Sequence, residues 1–196
     1  MHHTLHTPFS QPIMVQELEG HKDFKKRIVP EIIKKYEEGS DQKAPWNRHC
    51  NTWCTKAMGL NLIEVELQRA INGWLSFFKY PFIQYKLDAW YNVHTWNMHQ
   101  EVHRHLSSGI ILCGIYYIQL NEKDRPVSFV DLNNDYMQLY SDTNLTPKHP
   151  MMDWDLNLDL KEGDLVLFRP DMFHLVAPAK EKHDEYRISL SFNVEA

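Results

Sequence analysis

Cysteine is scarce: the 196 residues carry three, Cys50, Cys54 and Cys113. Three thiols cannot build a disulfide framework, and they fit a reducing cytosol. Cys50 and Cys54 with His49 would make an incomplete zinc site, and no fourth ligand stands nearby, so they read as ordinary thiols. Long apolar runs are also missing. No stretch approaches the roughly 20 residues of a membrane span. The opening MHHTLHTPFSQP lacks the basic and apolar regions of a signal peptide. The expectation is a cytoplasmic protein with no membrane partner. Nor is there an excess of positive charge: 21 Lys and Arg against 26 Asp and Glu leave a net charge of −5. The basic run at 22–27 is offset by neighbouring acids, so nucleic acid is not indicated as a partner. No internal repeat or low-complexity tract is visible.

What is present fits a folded globular chain: 43% apolar residues, six Trp, nine Tyr and nine Phe. The length suits a single domain, 1–196, with a helical support region over 1–80 and a strand-rich core over 81–196. Phe24, Ile28, Val29, Ile32, Ile33 and Tyr36 recur at helical spacing between Asp23 and Glu38, and Gly39 stops the pattern. Ile63, Leu67, Ile71, Trp74, Leu75 and Phe78 predict a second helix from about 62 to 78. Residues 39–59 read as loop with one short strand around 51–55. After Pro81 the period shifts toward two. Strands are expected at 83–93, 99–105, 110–120, 127–131, 164–168 and 187–194, with another beginning at Phe173. Turns fall at 121–124 and 161–163. Many short strands behind helices predict a mainly β sandwich or barrel, buttressed on one side. The stretch 132–158 is long, acidic and irregular, and reads as a lid or as a surface insertion.

The chemistry concentrates in three places. His99, Glu101, His103 and His105 alternate, so on a strand they project from one face. Same-face side chains lie about 6.6–7 Å apart along a strand, so one metal takes an adjacent pair. His103 with His105 would give an all-histidine site with His174 as the distant third. His99 with Glu101 would give the two-His, one-carboxylate ligand types, and a mixed use of Glu101 and His103 stays open. The last strand alternates strictly. Ile188, Leu190, Phe192 and Val194 form an apolar face; Arg187, Ser189, Ser191 and Asn193 form a polar one. The polar face is either wet or the lining of a cavity, where Arg187 forks onto a carboxylate and Ser189 adds a hydrogen bond.

From Trp90 onward these motifs resemble the iron(II)/2-oxoglutarate-dependent oxygenase superfamily, and most of all its small bacterial and phage group. The carrying residues are, in order, Trp90-Tyr-Asn92, His103-Arg-His105, Cys113-Gly-Ile-Tyr116-Tyr117, Phe129-Val-Asp131, Gly163 to Phe168, His174-Leu-Val176 and Arg187 to Asn193. The resemblance implies a double-stranded β-helix, a cupin-like jelly roll of eight strands behind N-terminal helices. It implies Fe(II) as cofactor and 2-oxoglutarate as cosubstrate, with O2 and an unknown primary substrate, a small molecule or a peptide side chain. The implied reaction is hydroxylation of an unactivated C–H bond with release of succinate and CO2. By matching position, His174 is the distal iron ligand, Arg187 and Ser189 hold the far carboxylate of 2-oxoglutarate, Tyr117 assists the arginine, and Asn92 and Asn193 line the cavity. Trp96, Trp154 and the 132–158 stretch are candidates to close over substrate. The chain departs from the superfamily at His105, where an Asp or Glu is usual, and at Cys113, where the pattern has Ser. Two other readings stay open: a cupin-like metalloenzyme that does not use 2-oxoglutarate, and a non-catalytic jelly-roll binding module.

Overall fold

A computed structural model describes residues 11–39, 52–132 and 155–196. Along the chain come β1 (Ile13–Glu17), α1 (His21–Glu37), β2 (Trp53–Lys56), a single 3-10 turn (Leu60–Leu62) and α2 (Glu64–Phe77). The remaining strands are β3 (Lys86–His94), β4 (Gln100–His103), β5 (Ile110–Gln119), β6 (Val127–Val130), β7 (Asp155–Asn157), β8 (Asp164–Phe168), β9 (Phe173–Val176) and β10 (Arg187–Glu195). They form a six-stranded sheet, β1-β8-β5-β10-β3-β2, and a four-stranded sheet, β4-β9-β6-β7. Strands β3 to β10 therefore divide four and four between two sheets, the layout of a double-stranded β-helix. β1 and β2 extend the larger sheet at its two edges.

Each sheet pairing is antiparallel, so alternate residues of a strand meet different layers. One face of the large sheet packs on the helices. Phe24, Ile28 and Ile32 of α1 and Leu67, Ile71 and Trp74 of α2 share a core with Leu112, Tyr116 and Ile118 of β5 and Ile188, Leu190, Phe192 and Val194 of β10. The other face meets the small sheet, where Cys113, Ile115 and Tyr117 of β5 join Val127 and Phe129 of β6 and Val166 and Phe168 of β8. Gly114 belongs to this architecture. A Cβ there would lie 2.2 Å from the Phe192 ring on the neighbouring strand, so only glycine admits that ring. Gly163, at φ +96°, turns the chain into β8 in a conformation that side chains disfavour.

Several expectations shift. Both helices lie where periodicity puts them, but Phe78 is 38% exposed and leaves the predicted stripe. β1 had no expected counterpart. β7 lies within the stretch read as irregular; residues 133–154, with Trp154, are outside the described residues, as are His49 and Cys50. β4 is shorter than the strand expected over 99–105, and its pairing slips between Gln100 and His103. The strict alternation behind the one-face reading of His99, Glu101, His103 and His105 therefore fails at that irregularity. No helix among the described residues is long and apolar enough to cross a membrane.

Candidate metal centre

Three imidazoles meet between the two sheets. β4 and β9 pair so that His103 lies opposite His174, with ring centroids 4.1 Å apart. His105 follows two residues after β4. Its N–H donates to the Pro170 carbonyl at 2.8 Å, and the intervening Arg104 guanidinium sits 4.4 Å from the Phe173 ring centroid. Those two contacts hold the irregular segment that carries His105. One ligand atom from each of His103, His105 and His174 lies within 4.8 Å of the other two, a spacing that could hold one divalent ion. His99 and Glu101 are not in this group. Glu101 contributes its backbone carbonyl instead, while its Oε2 is buried without a hydrogen-bond partner among the described residues.

Each of the three rings has its Nδ1 engaged. His103 Nδ1 donates to the Glu101 carbonyl at 2.8 Å, and His174 Nδ1 donates to the Met172 carbonyl at 3.0 Å. His105 Nδ1 donates to Asn193 Oδ1 at 2.8 Å. With the proton fixed on Nδ1, each ring keeps its lone pair on Nε2, which is how metal-binding imidazoles are oriented; that of His103 accepts from Gln100 Nε2 at 3.3 Å, a contact that a metal would replace. Burial lowers the pKa of all three. His174 falls to about 3, through burial first and then the neighbouring His103. The rings are thus neutral and able to ligate at ordinary pH.

Beside the histidines, the polar face of β10 lines a pocket rather than solvent. Arg187, Ser189, Tyr117 and Asn92 lie on its wall, and Arg187 is 3% exposed. The guanidinium donates through Nη1 to the Arg125 carbonyl, whereas Nη2 is buried with no partner among the described residues. Burial lowers the Arg187 pKa; Tyr117 and Asp124 act against that pull. Tyr117 Oη accepts the Val127 N–H at 2.8 Å, so its own proton stays available to donate. Burial pushes that phenol up to about 12. Asn92 Nδ2 donates to Ser191 Oγ at 2.9 Å across the β3–β10 pair. Asn193, expected on the cavity wall, instead supports His105 and also accepts the Cys113 thiol at 3.4 Å.

Sequence reasoning missed His94. It lies opposite Arg187 in the β3–β10 register, lines the pocket and is 3% exposed. Thr52 gives its one hydroxyl proton to the His99 carbonyl, so its oxygen must accept from His94 Nε2 at 2.9 Å. That leaves His94 Nδ1 as a buried acceptor without a partner among the described residues. Burial, then Arg187, holds its pKa well below the usual value. The only sequence signal was its parity with Trp90 and Asn92 on one strand. Trp96 is 38% exposed, outside the pocket wall.

The sequence also matches a known family. The profile described as "Putative 2OG-Fe(II) oxygenase" matches residues 88–193, more than half of the chain. No curated protein matches it. Among solved structures, a Pseudomonas putida prolyl-4-hydroxylase is similar at 13% identity and a TM-score of 0.65, over 95% of this chain and 93% of that one. A Trichoplax adhaerens prolyl hydroxylase in complex with a hypoxia-inducible-factor peptide fragment is 12% identical, with a TM-score of 0.62 over 93% and 83%. HygX from Streptomyces hygroscopicus, with nickel, 2-oxoglutarate and hygromycin B bound, is 11% identical, with a TM-score of 0.56 over 94% and 83%. At these identities the structures speak for the fold, and the family match speaks for the activity. It sets aside the non-catalytic reading and the one without 2-oxoglutarate. The chain belongs to the 2OG-Fe(II) oxygenase family, and is a dioxygenase that uses Fe(II) as cofactor and 2-oxoglutarate as cosubstrate, with O2 and a further substrate.

Proposed function

We propose that His103, His105 and His174 hold the iron, and that Arg187 with Ser189 and Tyr117 grips the far carboxylate of 2-oxoglutarate. The observation that carries this reading is the convergence of three proton-fixed imidazoles beside a buried arginine whose Nη2 has no partner among the described residues. Both features fit the groups the family uses. Neutral Nε2 donors suit a divalent iron, and an orphaned guanidinium N–H suits a carboxylate oxygen. When bound, iron and 2-oxoglutarate supply the O2-dependent oxidation, from which succinate and CO2 leave.

The protein's own part is orientation and exclusion. Arg187 gives position and compensating charge, Tyr117 and Ser189 donate alongside it, and Phe168, Ile115 and Val176 dry the walls. Three imidazoles bring no anion to the metal, unlike a set containing Asp or Glu, so the negative charge at the iron comes from the cosubstrate. The primary reaction we assign is hydroxylation of an unactivated C–H bond. The acidic 132–158 stretch favours a polar or basic substrate, such as a peptide side chain; one structural relative carries a peptide and another hygromycin B. Residues 1–196 are taken to act as one domain, and cysteine usage favours a reducing cytosol.

Anaerobic Fe(II) titration with and without 2-oxoglutarate tests the reading. A visible charge-transfer band should appear only when both are present. Its absence in the wild type would overturn the proposal. His103→Ala and His105→Ala should abolish the band while His99→Ala keeps it; the reverse pattern would make His99 and Glu101 the ligands.

A further inference from the structure

The turn joining β5 to β6 is built more elaborately than a hairpin requires. Asp124 accepts the Asn121 N–H through Oδ2 at 2.9 Å, and its own N–H returns to the Asn121 carbonyl at 2.9 Å. Such a turn is usually complete with an exposed Asp or Asn. Here the carboxylate is buried: Asp124 and His183 keep 4% and 7% of their side-chain surfaces, and His183 Nε2 meets Asp124 Oδ1 at 3.0 Å. Further ties bind the turn to the segment that leads into β10. Asn121 Nδ2 donates to Glu185 at 2.8 Å, and Lys180 N–H donates to the Lys123 carbonyl at 2.7 Å. The next residue along, Arg125, supplies the carbonyl that accepts Arg187 Nη1.

Burying a carboxylate is costly unless another charge repays it. Beyond His183 at 3.0 Å, the buried cation on whose charge Asp124 acts favourably is Arg187, tied to the same turn through the Arg125 carbonyl. We infer that Asp124, oriented by His183, is a positioning residue that holds Arg187 ready for the far carboxylate of 2-oxoglutarate, by fixing the turn whose Arg125 carbonyl takes one guanidinium N–H. The inference rests on the proposed role of Arg187. Its physical content is preorganisation: one N–H of the guanidinium is tied down, and Nη2 is a buried atom left without a partner among the described residues, to be satisfied by ligand. A turn serving stability alone would change the melting temperature and leave cosubstrate affinity untouched.

The test is calorimetric titration of the anaerobic Fe(II)-loaded protein with 2-oxoglutarate and, separately, with oxalate, which offers a chelating end without the far carboxylate. Asp124→Ala should weaken 2-oxoglutarate binding about tenfold, leave oxalate and Fe(II) affinity unchanged, and be partly rescued by Asp124→Asn. His183→Gln should act in the same direction by less, and serves if Asp124→Ala does not fold. Unchanged or tighter 2-oxoglutarate binding, or equal weakening of oxalate, would overturn the positioning role. Wild-type protein that binds oxalate but not 2-oxoglutarate, or binds both with no loss in Arg187→Ala, would instead bring down the reading of Arg187 and the inference with it.

Discussion

The two faces of β10 are made by alternate residues of one strand and obey opposite rules. Toward the helices, Ile188, Leu190, Phe192 and Val194 are all at most 1% exposed and wholly apolar. Toward the small sheet, Arg187, Ser189 and Asn193 are nearly as buried, yet they are polar, and Arg187 keeps an atom unsatisfied among the described residues. One face minimises free energy for the folded chain alone. The other includes Arg187, whose proposed partner is a ligand, and leaving it waiting costs stability. The contrast teaches that burial by itself does not distinguish core from site; the state of the buried hydrogen bonds does.

The sharpest way to break the contrast is to truncate one residue from each face. Arg187→Ala should weaken 2-oxoglutarate binding about a hundredfold, since a charge-assisted grip on the order of 3 kcal/mol is lost, while the melting temperature of the ligand-free protein falls by less than in Leu190→Ala, because the Arg125 carbonyl and Asp124 lose one partner but no apolar core is emptied. Leu190→Ala should do the opposite, costing about 2–5 kcal/mol of stability and leaving cosubstrate affinity intact in the folded fraction. Paired thermal melts and calorimetry would read both, and a matching loss of both properties in each variant would dissolve the distinction.

A smaller effect is expected at Asn193, which faces the site without lining the pocket. Asn193→Ala should lower Fe(II) affinity about tenfold by freeing the His105 ring, with Asn193→Asp restoring much of it because the acceptor oxygen returns. Metal titration checks this. The gentlest probe is pH. His174 has a pKa of about 3 in the folded protein, far below an ordinary histidine, so between those values the unfolded chain binds the extra proton. Stability of the metal-free protein should therefore be level above about pH 6.5 and decline as pH falls toward 3. The slope should be shallower in His174→Phe, as melting temperature against pH would reveal.

Much of this was legible in the sequence because periodicity reports burial. The alternation of Arg187 to Val194 marked two faces, and the helical stripes at 24–36 and 63–75 marked what covers one of them. Alternation could not say which environment the polar face met, since that depends on a second sheet contributed by other strands. The strand around His103 was misread for a local reason: parity assumes regular pairing, and the slip after Gln100 breaks it. Nothing in residue identity marks such an irregularity. His94 and Asp124 were invisible for another reason. A histidine at a strand end and an aspartate in a turn are unremarkable until folding buries them beside Arg187. Gly114 is intermediate: a glycine inside a strand signals close approach, but that the neighbour is Phe192 requires the register.

The position of β10 has a consequence for the order in which the molecule can assemble. It comes after every other strand described, yet it lies in the middle of the large sheet, bridging β5 on one side and β3 on the other. Until residues 187–195 leave the ribosome, β1-β8-β5 and β3-β2 are two fragments with facing unpaired edges. Those edges are sticky surfaces that invite wrong partners during synthesis. The same strand that completes the sheet carries Arg187, so the proposed cosubstrate grip and the closure of the fold arrive together, in a single late event.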